Sequence, residues 1–375
     1  MAKISRKDKT LYQNLMNLCA NTETLFHFVD HVTPDGLNIR VFDYHYASYS
    51  DWQLPDALWC RGTTFVIEQE RPVKLLCLPM KKFFNLNENP FTMDLNLNDI
   101  QWYEEKRDGS LISSLQDASG IIRLKSKTTL ASTQAQEATA WLYVPEHSDL
   151  LEFIQLCESQ NCTVNLEWTS PRNRIVLPYQ EDTLQILNVI DRDTREMIDL
   201  NELYSNPTFF KYSVKRFDVP ENPTEWVNSV VKSKDIEGFI VYHEKCVFKL
   251  KTEWYCNLHR NKSDVLSSDK SRLWLVANGA MDDVMSLLAG DQYAIDLIQK
   301  TERHYKNLLQ TVLIDVTEAK KFLHLERKNY VGEVMQICKG SKLSFSACMK
   351  AFDNHNLDVI KFVQNEVKRM PKNYI

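Results

Sequence analysis

The segment IQWYEEKRDGSLISSL, Ile100 to Leu115, carries more structural information than any other in this chain. Two runs of apolar, β-branched and aromatic residues, Ile100 to Glu105 and Leu111 to Leu115, flank the polar pentapeptide Lys106, Arg107, Asp108, Gly109, Ser110. The pattern predicts two strands meeting at a tight turn. Gly109 lets the backbone bend where a side chain would crowd a ligand. A lysine at such a turn can attack the α-phosphorus of a nucleotide and carry the nucleotide as a phosphoamide, with Asp108 holding the amine. Taken alone, Lys-x-Asp-Gly is a weak signal and reads first as a polar hairpin turn. Its meaning depends on what surrounds it.

Length and composition narrow the surroundings. A chain of 375 residues suggests two domains, and 43% hydrophobic with 25% charged residues is the balance of a soluble globular protein. No apolar run approaches the length of a membrane span. Met1 to Thr10 is polar and basic and has no secretory character. The nine cysteines are scattered, and none forms a CxxC pair, which predicts reduced thiols and a cytoplasmic protein. No HExxH and no Cys/His cluster has zinc spacing. The nine glycines are informative by their scarcity: none lies between Gly120 and Gly238, and there is neither GxGxxG nor GxxxxGK[ST]. A nucleotide bound here would need side-chain cations for its phosphates instead of a glycine-rich loop.

Residues 1–258 read as α+β. Strands are predicted at Leu37 to Tyr46, Ala57 to Ile67, Val73 to Leu78, Ile121 to Lys127, Thr163 to Trp168, Leu184 to Ile190, Phe239 to Tyr242 and Val247 to Lys251, beside the two around Lys106. Helices are predicted at Asp8 to Cys19, Gln134 to Tyr143, Ser148 to Glu158 and Thr224 to Lys232, the last with Asn222 as cap, Pro223 in the first turn and Glu225 three residues after the cap. Asn261 to Lys270 reads as a polar linker. From Ser271 there is no proline until Pro371, and helical periodicity dominates, with Leu297, Ile298, Leu308, Leu309, Leu313, Phe322, Val334, Ile337, Val359 and Phe362 suited to an all-helical bundle over 259–375. Residues 262–375 carry a net charge of about +3 against about −8 for the rest, which makes the helical part the better partner for a polyanion, although solvated helix faces give the same excess.

Residues two apart in a strand share a face. Arg123, Lys125 and Lys127 therefore fall opposite Ile122 and Leu124; Lys249 and Lys251 fall opposite Phe248 and Leu250; Asn165 and Glu167 fall opposite Val164, Leu166 and Trp168; Arg61 falls mid-strand. One such face is ordinarily a solvated surface. Three of them, with the Lys106 turn and Glu237-Gly238 ahead of another strand, supply what nucleotidyl transfer needs. Cations neutralise a triphosphate and the departing pyrophosphate. Carboxylates hold ribose hydroxyls or Mg²⁺. Neighbouring cations or a metal would lower the pKa of the nucleophilic lysine.

Eight segments carry a resemblance: FDYHYASYSDW (Phe42 to Trp52), LPDALWCRGTTF (Leu54 to Phe65), PMKKFFNLNENPFTM (Pro79 to Met93), KRDGS (Lys106 to Ser110), KSKTTLASTQA (Lys125 to Ala135), NLEWTSPRNRIVL (Asn165 to Leu177), DIEGFIVY (Asp235 to Tyr242) and FKLKTEWY (Phe248 to Tyr255). In kind, order and spacing the chain resembles the covalent nucleotidyltransferases, and within them the phage RNA ligase 1 family. The likeness is strong over 40–258 and weaker beyond, where Gly279 to Tyr305 still looks related. It implies an N-terminal antiparallel-sheet nucleotidyltransferase domain and an all-α C-terminal domain that selects RNA. It further implies Lys106 as nucleophile with Asp108, Lys249 and Lys251 in the catalytic group. Tyr44, Arg61, Lys82, Lys127, Glu167, Glu237, Lys249 and Lys251 would contact the nucleotide: Arg61 and Lys82 on the triphosphate, Glu167 on the ribose, and Glu237 near the metal. Thr128 departs from the pattern, since a small glycine-like residue is expected after Lys127.

The resemblance implies an ATP-dependent RNA ligase using Mg²⁺, or Mn²⁺, and working on single-stranded RNA ends such as a tRNA nicked in its anticodon loop. The expected setting is the cytoplasm of a phage-infected bacterium, and the expected state is a monomer with no membrane partner. A DNA ligase or an mRNA capping enzyme of the same superfamily is the nearest rival, but both usually continue into a β-barrel OB domain, whereas the residues after Lys251 read as helical. A non-catalytic RNA-binding protein on the same fold would be expected to lack the nucleophile or a motif lysine, and none is missing.

Overall fold

The computed structural model describes residues 4–21, 25–45, 47–173, 175–259, 268–277 and 292–374. The chain divides into two compact units, Met1–Cys256 and Asn257–Ile375. Most of the expected linker, and the part of Gly279 to Tyr305 before Gln292, lie outside the described residues.

Thirteen strands run through the first unit: β1 Phe26–Val32, β2 Asn38–Tyr44, β3 Thr63–Glu68, β4 Arg71–Cys77, β5 Phe84–Asn85, β6 Ile100–Glu105, β7 Ser110–Gln116, β8 Ile122–Lys125, β9 Cys162–Thr169, β10 Thr183–Asp191, β11 Arg216–Asp218, β12 Gly238–His243 and β13 Cys246–Lys251. They form three sheets, ordered β1-β2-β3-β4, β10-β9-β7-β8 and β11-β6-β12-β13-β5. All pairings are antiparallel except the short β13–β5 bridge. The α+β expectation, antiparallel sheets followed by helices, is what the fold shows.

The β6–β7 turn joins two sheets instead of closing a hairpin: β6 pairs with β11 and β12, and β7 with β8 and β9. Lys106 therefore stands where the chain crosses between sheets. Inward residues of both sheets, among them Ile112, Leu166, Trp168, Ile186 and Tyr242, make one core. Helices Thr133–Leu142 and Ser148–Ser159 add Ala138, Leu142, Leu150 and Ile154 to it. The first helix, Arg6–Asn21, buries Leu11, Leu15 and Leu18 against Phe26, Phe42 and Phe65 of the first sheet. Helix Pro223–Lys232 is capped as its sequence requires, with the Asn222 side chain accepting the Glu225 N–H.

Two expectations need correction here. The run Ala57 to Ile67 is no single strand. Asp56 and Gly62 both have positive φ and bracket a 3₁₀ turn at Ala57–Trp59, so Arg61 sits in a loop and the strand starts at Thr63. β1 went unforeseen because FHFVDHV alternates with histidine and aspartate on a half-exposed edge strand, which blurs the period-2 signal.

The described residues of the second unit are helical: Asp269–Ala277, Gln292–Ala319, Arg327–Cys338, Lys342–Asp353 and Val359–Arg369. The 28-residue helix is the spine, and its Val312 and Val316 meet Tyr330, Val334, Ala347, Val363 and Val367 in the core. Ser341 and Asp358 cap their helices by accepting the N–H groups of Ser344 and Lys361.

Candidate active site

Gly109 forces the geometry at the crossing. A Cβ there would collide with the Trp168 carbonyl oxygen and would lie 2.8 Å from Thr169 Cγ2, so only glycine lets β7 press against the end of β9. That approach brings the Gly109 N–H to Glu167 Oε1 at 3.1 Å. On the other side, Lys106 N–H donates to the Gly238 carbonyl, and its Nζ lies 2.9 Å from Glu237 Oε1. Lys251 Nζ lies 2.9 Å from the same oxygen. Glu237 is 2% exposed, and its Oε2 has no hydrogen-bond partner among the described residues.

Glu237, not Asp108, holds the Lys106 amine. Both Asp108 oxygens are committed elsewhere: Oδ1 accepts the Tyr255 hydroxyl at 2.6 Å, and Oδ2 accepts the N–H groups of Val176 and Leu177 at 2.7 Å each. The Asp108 N–H donates to Tyr179 Oη. Asp108 thus ties the turn to the 176–177 loop and reaches Lys106 only through space. Tyr179 and Tyr255 were not foreseen. Tyr255 closes the FKLKTEWY segment, where its position was the available signal; nothing local marks Tyr179, whose hydroxyl arrives from 71 residues away.

The expected low pKa of Lys106 is also corrected. Burial works against the ammonium, but Glu237, Glu167 and Asp108 outweigh it, and Lys106 lies above the ordinary lysine value. The carboxylates are closer company than the cations. Burial pushes Glu167 up to about 7, with Lys106 opposing and Glu237 adding to the rise.

A cavity of about 750 Å³ opens beside these groups and is lined by Arg61, Lys82, Lys106, Glu167, Lys249 and Lys251, six of the residues expected at the site. Phe83 lies between two of the cations, with Lys249 Nζ 4.9 Å from its ring centre and the Arg61 guanidinium carbon 6.0 Å. Burial, then Lys82, Arg61, Lys106 and Lys251, drive Lys249 down to about 6. A crowd of cations that depresses one of its own members is built to receive an anion. Tyr44 and Lys127 stand behind this group: Lys127 Nζ lies 4.5 Å from the Tyr44 ring centre and pairs with Asp43 at 3.2 Å, and Lys82 Nζ lies 5.3 Å from the same ring.

The face argument for β8 fails. Arg123 pairs with buried Asp117. Lys125 is fully buried, and its Nζ donates to the carbonyls of Ser126 and Lys127 in the next loop. Sequence alternation assigned these side chains to a solvated or ligand-facing surface; Arg123 is half-buried there, but Lys125 is covered as completely as Ile122 and Leu124 on the opposite face. The loop bends back to place the Lys127 carbonyl and Lys125 Nζ within about 3 Å of the Cβ position of Gly62, where φ is +96°.

These features set a lysine on a buried glutamate beside a cation-ringed cavity between two sheets. A family model described as RNA ligase matches residues 59–255, and one described as T4 RNA ligase 1, C-terminal domain matches 263–375. The chain belongs to the T4 RNA ligase 1-like family of RNA ligases. Among curated proteins it is 27% identical over 237 residues to a Thermovibrio ammonificans protein named "Putative RNA ligase", a match spanning 60% of each chain. Among solved structures it is similar to an archaeal ATP-dependent RNA ligase, with 10% identity, a TM-score of 0.46, and coverage of 76% of this chain and 75% of that one. A Naegleria gruberi RNA ligase with PPi also matches, with 14% identity, a TM-score of 0.36, and coverage of 52% and 65%.

Proposed function

We propose that this protein is an ATP-dependent RNA ligase that joins a 5′-phosphate to a 3′-hydroxyl through a lysyl-AMP and an RNA-adenylate. The observation that carries the reading is Lys106, held by Glu237 at the rim of a cavity lined by Arg61, Lys82, Lys249, Lys251 and Glu167. In the first step Lys106 Nζ, having lost its proton, forms a P–N bond to the α-phosphorus of ATP as the bond to pyrophosphate breaks. Arg61, Lys82, Lys249 and Lys251 offset the charge that develops on the leaving pyrophosphate. Glu167 accepts a ribose hydroxyl. In the second step an RNA 5′-phosphate oxygen displaces Lys106, which takes back a proton, and a 5′–5′ pyrophosphate results. In the third step a 3′-hydroxyl attacks the RNA phosphorus, loses its proton, and expels AMP.

Glu237 suits a divalent cation, Mg²⁺ or Mn²⁺, because its buried Oε2 lacks a partner among the described residues. No group of three or more His, Cys, Asp or Glu side chains gathers there among the described residues. This fits a metal that takes one protein carboxylate and completes its shell from phosphates and water. Such an ion would neutralise phosphate charge and screen Glu237 from Lys106.

In this reading residues 1–258 carry out adenylyl transfer and the helical unit chooses the RNA, with a nicked tRNA anticodon loop as the substrate class. The setting is the cytoplasm of a phage-infected bacterium, and the protein acts as a monomer. The helical continuation after Lys251 weighs against a DNA ligase or capping enzyme, and the full set of lysines weighs against a non-catalytic RNA binder. The test is incubation with α-labelled ATP or GTP and divalent metal. Acid-labile label on the denatured chain, absent from Lys106→Ala, is the expected result; label that persists at wild-type level in Lys106→Ala overturns the assignment.

A further inference from the structure

Lys125 ends β8 with no exposed surface, and it stands behind the cavity that Arg61, Lys82, Lys249 and Lys251 line. A buried ammonium ordinarily sits on a carboxylate. Among the described residues Lys125 has no such partner; its Nζ donates to the Ser126 carbonyl at 3.0 Å and to the Lys127 carbonyl at 3.4 Å. The remaining side of the amine faces Gly62. A Cβ placed on Gly62 would lie 3.0 Å from Lys125 Nζ, 2.8 Å from the Lys127 carbonyl oxygen and 3.3 Å from Pro79 Cγ. Segments that carry three of the expected nucleotide cations therefore meet at one buried amine: the turn with Arg61, the stretch from Pro79 to Lys82, and the loop with Lys127.

The Lys127 loop is the anchored side of this joint. Lys127 Nζ pairs with Asp43 at 3.2 Å, the Thr128 carbonyl lies 2.9 Å from His31 Nε2, and Ser126 donates to the Thr129 carbonyl through both its N–H and its hydroxyl. Arg61 is held far less. Its guanidinium has one long hydrogen bond among the described residues, to the Met80 carbonyl at 3.5 Å, and no carboxylate partner there. Where that guanidinium stands thus depends on the backbone beside it, and Gly62, at φ +96°, gives that backbone little stiffness of its own. We propose that Lys125 is a positioning residue: it braces the Gly62 turn on the Lys127 loop and so fixes Arg61 against the β- and γ-phosphates of ATP. The inference rests on the ligase reading and adds a residue that touches neither nucleotide nor metal. A desolvated amine without a carboxylate weakens the fold. Removing it should separate two effects that a packing residue would lose together: the fold gains and the activity falls.

The test uses Lys125→Met in the full chain, which keeps the unbranched stem and removes the amine. Its melting temperature should equal or exceed that of wild type, because an apolar group replaces a desolvated polar one. Its kcat/KM for covalent labelling by ATP should fall about ten- to a hundredfold, the cost of a displacement of up to about 1 Å beside the reacting centre. Affinity for AMP, which lacks the phosphates that Arg61 would meet, should stay within about threefold of wild type. In single-turnover labelling, Arg61→Ala combined with Lys125→Met should be no more than about threefold slower than Arg61→Ala alone, since a brace without its arginine has nothing to position. The inference is overturned if Lys125→Met labels within about threefold of wild type, or if the two losses multiply in the double variant. It is overturned equally if lost labelling comes with a lowered melting temperature, misfolding or weakened AMP binding, which would mark Lys125 as general packing. A wild type that takes no label from ATP sinks the ligase reading instead; one that labels while Lys125→Met labels as well sinks only the role of Lys125.

Discussion

Lys249 makes the binding of a triphosphate depend on pH in a calculable way. Its pKa is down at about 6 because it is buried beside Lys82, Arg61, Lys106 and Lys251. It is therefore largely neutral at pH 8 in the free protein. A triphosphate laid across Lys249 favours the ammonium, so binding takes up a proton. Two pH units above the free value, protonation costs about 2.7 kcal/mol, at 1.36 kcal/mol per unit. The sign follows: affinity is greatest near pH 6 and falls as pH rises, by up to about tenfold per unit while the bound pKa stays above the working pH. The range 7.5 to 9 is the useful one, because Glu167, at about 7, is mostly ionised there in the free protein. The assay is calorimetric titration with α,β-methylene-ATP and saturating Mg²⁺ in buffers of different ionisation enthalpy. About one proton should be taken up per ligand at pH 8. In Lys249→Arg the charge is permanent, and both the uptake and the slope should vanish. Uptake close to zero in wild type, or an equal slope in Lys249→Arg, would refute the argument.

Three further outcomes follow from the same geometry. Gly109→Ala drives a methyl group into the Trp168 carbonyl, and covalent labelling should fall on the order of 10²-fold in protein that still folds, the cost of a displacement of about 1 Å at a reacting centre. Asp108→Asn cannot accept two N–H groups and a hydroxyl as the carboxylate does; it should cost about 2–4 kcal/mol in urea unfolding and slow labelling, although Asp108 does not touch the Lys106 amine, and wild-type stability in this variant would count against its bracing role. A chain ending near Arg260 should still label itself but lose preference for a nicked stem-loop over an unstructured strand, read as a ratio of sealing rates at fixed salt; an unchanged ratio would remove the helical unit from substrate choice.

What could be read in the sequence follows from the range of each signal. Alternation at period 2 located most strands of the first unit, and the glycine at 109 announced a close approach whose partner, the Trp168 carbonyl, is 59 residues away and had no local mark. The same alternation misled at Lys125. It reports which residues share a face but not what covers that face, and Lys125 is covered on the polar side of β8. Chemistry was harder to read than placement for a related reason. Lys106, Glu167 and Lys249 owe their protonation states to neighbours brought from separate strands, so no segment holds the balance of charges that sets them. Asp108 shows the limit most clearly. Beside a lysine in a tetrapeptide it invites the reading of a partner for the amine, yet its oxygens are claimed by Val176, Leu177 and Tyr255, while the amine finds Glu237 across 131 residues. Adjacency in the chain sets where a side chain starts. Which partner it meets is decided by the sheet crossing that Gly109 permits.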